Sequence, residues 1–154
     1  MASITRTKTV PATPTITAGA YSANDAVGGL ITFSSAAYAT FGGGIIQTIT
    51  IIDDAKQDAE SELHLFNQTF TPTADNAAFN PSDDDMENWV GSLSVNPADY
   101  TDFVNNSGAS VSNIGLAFNL VTTGQDLFGQ LVTRGTPTYT ATDDLTIKPT
   151  ILQD

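Results

Sequence analysis

The clearest pattern in the chain lies at residues 45–52, where Ile45, Ile49 and Ile51 occupy one side of an extended segment, Thr48 and Thr50 the other, and Gln47 interrupts the apolar side. A period of two marks a half-buried strand, because successive side chains of an extended backbone point to opposite faces. The run stops at Asp53 and Asp54. Residues 62–66 repeat the alternation, with Leu63 and Leu65 set against Glu62, His64 and Phe66, and the short connection 55–61 predicts that the two runs pair as a hairpin. Residues 30–33, 90–95, 111–121, 127–133, 136–142 and 145–152 read as further strands, with Leu116, Phe118 and Leu120 forming another apolar face. Asn-Pro, Asn-Asn-Ser-Gly, Thr-Gly-Gln and Asp-Asp signals separate the later ones. Roughly eight short strands at this spacing predict an all-β, antiparallel β-sandwich, of which a jelly roll is one form.

Two segments depart from the alternation. Pro81-Ser82-Asp83-Asp84-Asp85 has the form of a cap followed by acidic first-turn residues, and predicts the single short helix of the chain, continuing through Trp89. Gly42, Gly43 and Gly44 read as a hinge before the best strand; they lack the following Lys and Ser/Thr of a phosphate loop. Residues 1–17 are rich in Thr and Pro, and Pro11 and Pro14 favour an extended path, so an N-terminal arm (1–17) is expected ahead of one β-sandwich domain (18–154); its alternating residues 3–10 suit equally an edge strand and a segment that a partner orders.

Composition sharpens this picture. The 154 residues include 23 threonines but only eight Lys, Arg and Glu together, which favours strands over helices. Seventeen acidic residues against five basic ones give a net charge of −12, a poor match to nucleic acid, whose binding rests on Lys and Arg displacing counterions. Arg6 and Lys8 fall within the amino-terminal segment, leaving a mildly basic arm on an acidic body. No apolar run reaches the ~20 residues of a membrane span, and no secretory leader is expected.

Candidate chemistry is sparse. His64 is the sole histidine, there are no cysteines, and no Gly-x-Ser-x-Gly elbow occurs, so neither a nucleophilic triad nor a zinc site is expected. Asp53, Asp54, Asp58 and Glu60, or Asp83, Asp84 and Asp85, carry oxygen ligands of the kind calcium takes, but without an EF-hand loop they read better as strand ends, a helix cap and solubilising charge. Trp89 and Tyr100 are the residues a carbohydrate-binding module would use, and paired acids are what a glycosidase would use. No catalytic, cofactor or metal residue is assigned.

Several segments carry a resemblance. Gly-Ala-Tyr-Ser-Ala-Asn-Asp-Ala-Val-Gly-Gly-Leu-Ile-Thr-Phe from residue 19, the triple glycine, Ile-Ile-Asp-Asp-Ala-Lys-Gln-Asp-Ala from residue 51, Leu-Phe-Asn-Gln-Thr-Phe from residue 65 and Leu-Phe-Gly-Gln-Leu-Val-Thr-Arg-Gly-Thr-Pro from residue 127 are similar to a family of small proteins encoded among the structural genes of tailed bacteriophages. The likeness spans nearly all of residues 15–154, and its motifs are structural rather than catalytic. It implies a non-enzymatic virion component bound to the outer surface of the head as a decoration or cement subunit, with the major capsid protein as partner. Under that expectation the extended, basic arm makes the contact, through Ile4, Arg6, Lys8, Val10 and Ile16, by adding a strand to a neighbour's sheet edge. A homo-oligomer is expected too, a trimer being the form that suits a lattice, with Phe128 or Ile151 at the contact. The other positions open to such a protein are a head-to-tail connector, a tail component or a glycan-binding attachment module.

Overall fold

The structure, a computed structural model, describes residues 6–154. Among these residues nine strands form two antiparallel sheets: β1 (Arg6–Thr9), β2 (Ala26–Phe33), β3 (Gly43–Asp53), β4 (Ser61–Phe66), β5 (Trp89–Val95), β6 (Tyr100–Asp102), β7 (Ser107–Asn119), β8 (Leu127–Thr133) and β9 (Leu145–Gln153). One sheet has the order β1-β9-β3-β7-β6 and the other β2-β8-β4-β5. The pairing is nested: β4 lies beside β5, β3 beside β7, β2 beside β8 and β1 beside β9. A long antiparallel ribbon folded this way and rolled so that alternate pairs fall in opposite sheets is the jelly roll. The expected β-sandwich is therefore present, in its jelly-roll form, with β6 added at one edge.

Between the sheets lies a core that includes Phe33, Ile46, Ile49, Ile51, Leu63, Leu65, Leu127, Leu131, Leu145 and Ile147, each nearly or fully buried. In β3 the phase of the alternation changes. Ile46 pairs with Ile151 and Thr48 with Thr150, so Gln47 is an extra residue opposite β9. Such a bulge flips the side-chain parity. Ile46 before it and Ile49 and Ile51 after it face inward, while Ile45, expected on the buried face, is 37% exposed.

The predicted β3–β4 hairpin does not form; the two strands sit in different sheets. The turn between them is organised by Asp53, whose carboxylate accepts the amides of Ala55, Gln57 and Asp58 at 3.0, 2.9 and 3.0 Å. Lys56 and Asp58 adopt φ of 54° and 51°, and this left-handed turn carries the chain out of one sheet into the other. Periodicity had told which faces are buried, not which strand is the neighbour. Residues 136–142 likewise form turns rather than the predicted strand, because the Asp144 carboxylate gathers the amides of Thr140 and Ala141 and the Thr140 hydroxyl. One isolated bridge, Ala20 to Thr138, is the pairing found there.

Gly43 and Gly44 are part of β3, not a hinge. A Cβ on Gly43 would collide with the Phe118 carbonyl oxygen, and one on Gly44 would sit 2.6 Å from that of Leu152, so close strand approach selects glycine here. The helix is a single turn, Asp83–Met86, whose Ser82 cap accepts the Asp85 amide at 3.1 Å; it does not continue through Trp89 as expected, because Trp89 pairs with Phe66 and opens β5. A 3-10 turn at Pro97–Asp99 precedes β6.

The outer faces of the two sheets differ. The connection 67–88 lies over the four-stranded sheet and is pinned by Gln130, whose amide accepts from the Thr73 N–H at 3.0 Å and donates to the carbonyls of Thr73 and Gly28 at 2.6 and 3.0 Å. Asp75 adds a second anchor, accepting from the Thr17 and Tyr21 hydroxyls and the Gly28 amide at 2.7, 2.6 and 2.7 Å. On the five-stranded sheet the outward side chains remain partly or fully exposed.

Candidate interaction surface

Of the five residues expected to contact a partner, Ile4 lies outside the described residues. Val10 and Ile16 are 4% and 2% exposed and belong to the core of their own domain. The backbone holds them there: the Val10 amide donates to Pro149 O at 2.9 Å, Ala12 and Ile147 exchange amide–carbonyl bonds of 2.9 and 2.8 Å, and the Ile16 amide donates to Thr142 O at 3.0 Å. Residues 6–16 thus extend the sheet beside β9, and their apolar side chains fix the segment to the sandwich rather than facing a neighbour.

Arg6 and Lys8 keep their polar ends at the surface and reach from β1 to the connection 34–42. The Arg6 guanidinium lies 3.7 Å from the centre of the Tyr38 ring, a cation–π contact. The Lys8 ammonium donates to Ser35 O at 3.0 Å. Gln153 secures the same connection from β9, donating to the carbonyls of Ser35 and Ala36. Tyr38, Phe41 and Val121 are 50%, 60% and 52% exposed at this end of the sandwich. The Gln125 side chain donates to Tyr38 O and the Phe41 amide to Thr122 O, which ties the two connections together.

Next to β1 runs a polar face built by register alone. Thr9 pairs with Thr150, Thr150 with Thr48 and Thr48 with Ser112, so four hydroxyl side chains form a row across β1, β9, β3 and β7. The Thr9 and Thr150 hydroxyls are 2.9 Å apart. A second row sets Lys148, Thr50 and Ser110 side by side. The sequence carries this signal as Thr-x-Thr in β3, Ser-x-Ser in β7 and Thr-x-Lys-x-Thr in β9, but only the strand order joins the three.

The remaining candidates fall elsewhere. Asp53 is fully buried, and burial pushes its carboxyl above the ordinary range despite its three amide donors; Asp58 accepts from the Ser107 hydroxyl. Asp85 takes part in the helix cap through Ser82. Among the described residues no group of three or more His, Asp or Glu side chains is gathered as a metal ion requires. His64 stacks near Phe79, ring centres 4.7 Å apart, on the outer side of the four-stranded sheet. Its Nε2 is 3.2 Å from Glu62 Oε2 yet misaligned for a hydrogen bond. Burial lowers the imidazole's pKa, while the Arg134 guanidinium, 2.7 Å away, holds Glu62 below its ordinary value. Trp89 and Tyr100 do not share a platform: Trp89 opens β5 opposite Phe66, whereas Tyr100 pairs with the core residue Ala109 in the other sheet. Ile151, expected at an inter-subunit contact, is fully buried, and Phe128 is half-buried opposite Phe66.

Fold and surface together define a jelly-roll β-sandwich whose outer faces are unequal, one covered by its own chain and one open. No family model matches the chain, and no curated protein matches it. A chain in a solved structure of Desmodium yellow mottle tymovirus is similar over 98% of this chain and 82% of that chain, at 12% identity and a TM-score of 0.30. A likeness that loose carries no argument about fold or role.

Proposed function

We propose that the protein is a non-enzymatic virion structural subunit, a decoration or cement protein that binds the outer surface of a tailed-phage head, with the major capsid protein as its partner. The observation that carries the reading is the nested jelly-roll topology, an architecture used by viral shell proteins, in a chain whose segments resemble structural proteins of tailed phages. A subunit that binds only the assembled lattice stabilises it by mass action and needs no chemistry of its own. Arg6 and Lys8 sit at the sheet edge where such a contact begins, and self-association on the lattice, as a trimer, accompanies it.

The test is the stoichiometry of the protein in purified virions, paired with electron cryomicroscopy of the same particles. Hundreds of copies over the head surface are expected. A dozen or fewer at a vertex or along the tail would replace the reading with a connector or tail component, and absence from the particle would refute it. Deleting residues 1–17 is a poor probe, because Val10 and Ile16 belong to the core. Arg6→Glu with Lys8→Glu tests the contact without removing the strand.

A further inference from the structure

The charge of this protein is divided between its strands and the rest of the chain. Strands β1, β3, β7 and β9 hold one of the 17 acidic residues, Asp53, and three of the five basic ones, Arg6, Lys8 and Lys148. Asp53 is fully buried and points inward. These strands therefore carry three positive charges and one negative, a formal +2, leaving two positive and 16 negative, a formal −14, for the rest; the sum is the −12 of the whole chain. The outward positions of these four strands are thus free of carboxylates in an acidic protein; on the fifth strand, β6, the exposed Asp102 shares the inward phase of Asp53 through Ser107 and is paired with Lys56. Its one charged outward side chain on β3, β7 and β9 is Lys148, which makes no ion pair among the described residues. The hydroxyl row Thr9, Thr150, Thr48 and Ser112 crosses its middle.

We infer that this acid-free hydroxyl face is the docking surface of the protein, and that its occupant is an acidic protein surface, which under the function proposed above is the outer surface of the capsid shell. Like charges opposed across an interface are strongly unfavourable, so an acidic partner can approach an acidic protein only where the latter has no carboxylates. The hydroxyls donate to carboxylates and carbonyls of the partner, and Lys148 supplies the charge-assisted contact. Depletion of charge at the centre of the face is also what separates interface cores from ordinary surface. Arg6 and Lys8 on β1 pair with Gln153 and Ile151, so their side chains leave the sheet on its inner side toward Tyr38 and Ser35; they border the proposed contact, and only Thr7 and Thr9 of β1 face it.

The experiment is co-sedimentation of the purified full chain with empty phage heads lacking it, using wild type, Thr48→Glu, Thr48→Lys, Lys148→Glu and Ser92→Glu. Ser92, exposed on β5 of the other sheet, serves as the control. Thermal melts establish that each variant folds. Thr48→Glu and Lys148→Glu are expected to weaken binding at least ten-fold, while Thr48→Lys and Ser92→Glu bind as wild type does. Since Glu and Lys disturb the strand similarly but differ in charge, an equal loss in both Thr48 variants would mark a steric effect and overturn the charge argument. Wild-type binding with Thr48→Glu and Lys148→Glu undiminished would reject this face and leave the decoration role standing. No wild-type binding would reject the role, and the face with it. Retention of duplex DNA by wild type, lost in Lys148→Glu, would reassign the face to nucleic acid.

Discussion

Gln130→Leu is the sharpest test of how the connection 67–88 is held. The side chain is fully buried on the outer side of β8 and makes three hydrogen bonds, two with the backbone of Thr73 and one with Gly28 O. Leucine has a similar volume, so the substitution removes the bonds without opening a cavity. Each backbone group stripped of its partner costs about 1–3 kcal/mol when fully buried. Thr73 is half-buried, so water reaches part of it, and about 1 kcal/mol for each of the three groups is the reasonable figure. The apolar contact of leucine returns about 1 kcal/mol. The net loss of about 2 kcal/mol corresponds to a fall of about 4–8 °C in melting temperature for a chain of this size. Amide hydrogen exchange supplies the second readout, with the Thr73 amide losing protection while β3 amides keep theirs. A melting temperature within about 1 °C of wild type, together with a protected Thr73 amide, would show that Gln130 does not pin the connection.

Three further outcomes follow from the geometry. Gly44→Ala places a Cβ 2.6 Å from Leu152 O and 2.8 Å from Ile151 Cγ2, and chemical denaturation should show a loss of about 1–3 kcal/mol, whereas Gly29→Ala, with nothing within 4 Å of the new atom, should fall within about 0.5 kcal/mol of wild type. Val10→Ala should cost about 1–3 kcal/mol as a core truncation and Arg6→Ala under about 1 kcal/mol as loss of an exposed cation–π contact; the reverse ranking would mean that the amino-terminal segment is not docked as described. Stability should fall on the alkaline side, because burial first and the Asp75 hydrogen bond second push the Tyr21 phenol up to about 12, and burial raises Tyr100 and Tyr139 as well. The neutral phenol is favoured in the fold, so this contribution is complete below the ordinary value of 10.0 and is lost as pH rises from there through the folded value, at about 1.4 kcal/mol per pH unit for each tyrosine. Unfolding free energy that stays level between pH 10 and 11.5 would refute it.

Where a strand's two faces differ in polarity, the strand was readable in the sequence. The alternation of Leu63 and Leu65 against Glu62 and His64 survives in β4, although Phe66, expected on the polar side, is fully buried against Phe70; residues 127–133 match β8 end to end, but as a strand buried on both faces and bounded by turn residues. Errors came where the chain's path depends on contacts distant in sequence. Asp53 and Asp54 read as a strand stop, and so they are, but whether the chain then doubles back or crosses depends on the amides that Asp53 captures and on left-handed residues that have no pattern in composition. Val10 and Ile16 read as part of an extended arm because their neighbours are threonines and prolines, and that composition does not distinguish an edge strand of the same domain from a segment that a partner orders. Val10 is held by Pro149 of β9 and Ile16 by Thr142 in the turn before it, partners that lie more than 120 positions further along the chain. The triple glycine carried a real signal that was assigned to flexibility instead of to close packing.

The same long-range pairing explains why the candidate surface could not be found from local sequence. No single strand of the open face is unusual: Thr-x-Thr or Ser-x-Ser in an outward register is ordinary for a solvated sheet. The distinctive property is joint. Four strands drawn from both ends and the middle of the chain exclude carboxylates from their outward positions, while the turns and the β4–β5 connection carry nearly all of the acidic residues. Solubility alone asks for dispersed charge on both faces, and the four-stranded sheet can do without it because residues 67–88 cover its outer side. Among the described residues the five-stranded sheet has no such cover. Its outward side chains neither pack against their own chain nor carry the charge that keeps the rest of the surface apart from other acidic bodies, which is the combination expected of a face that meets a partner.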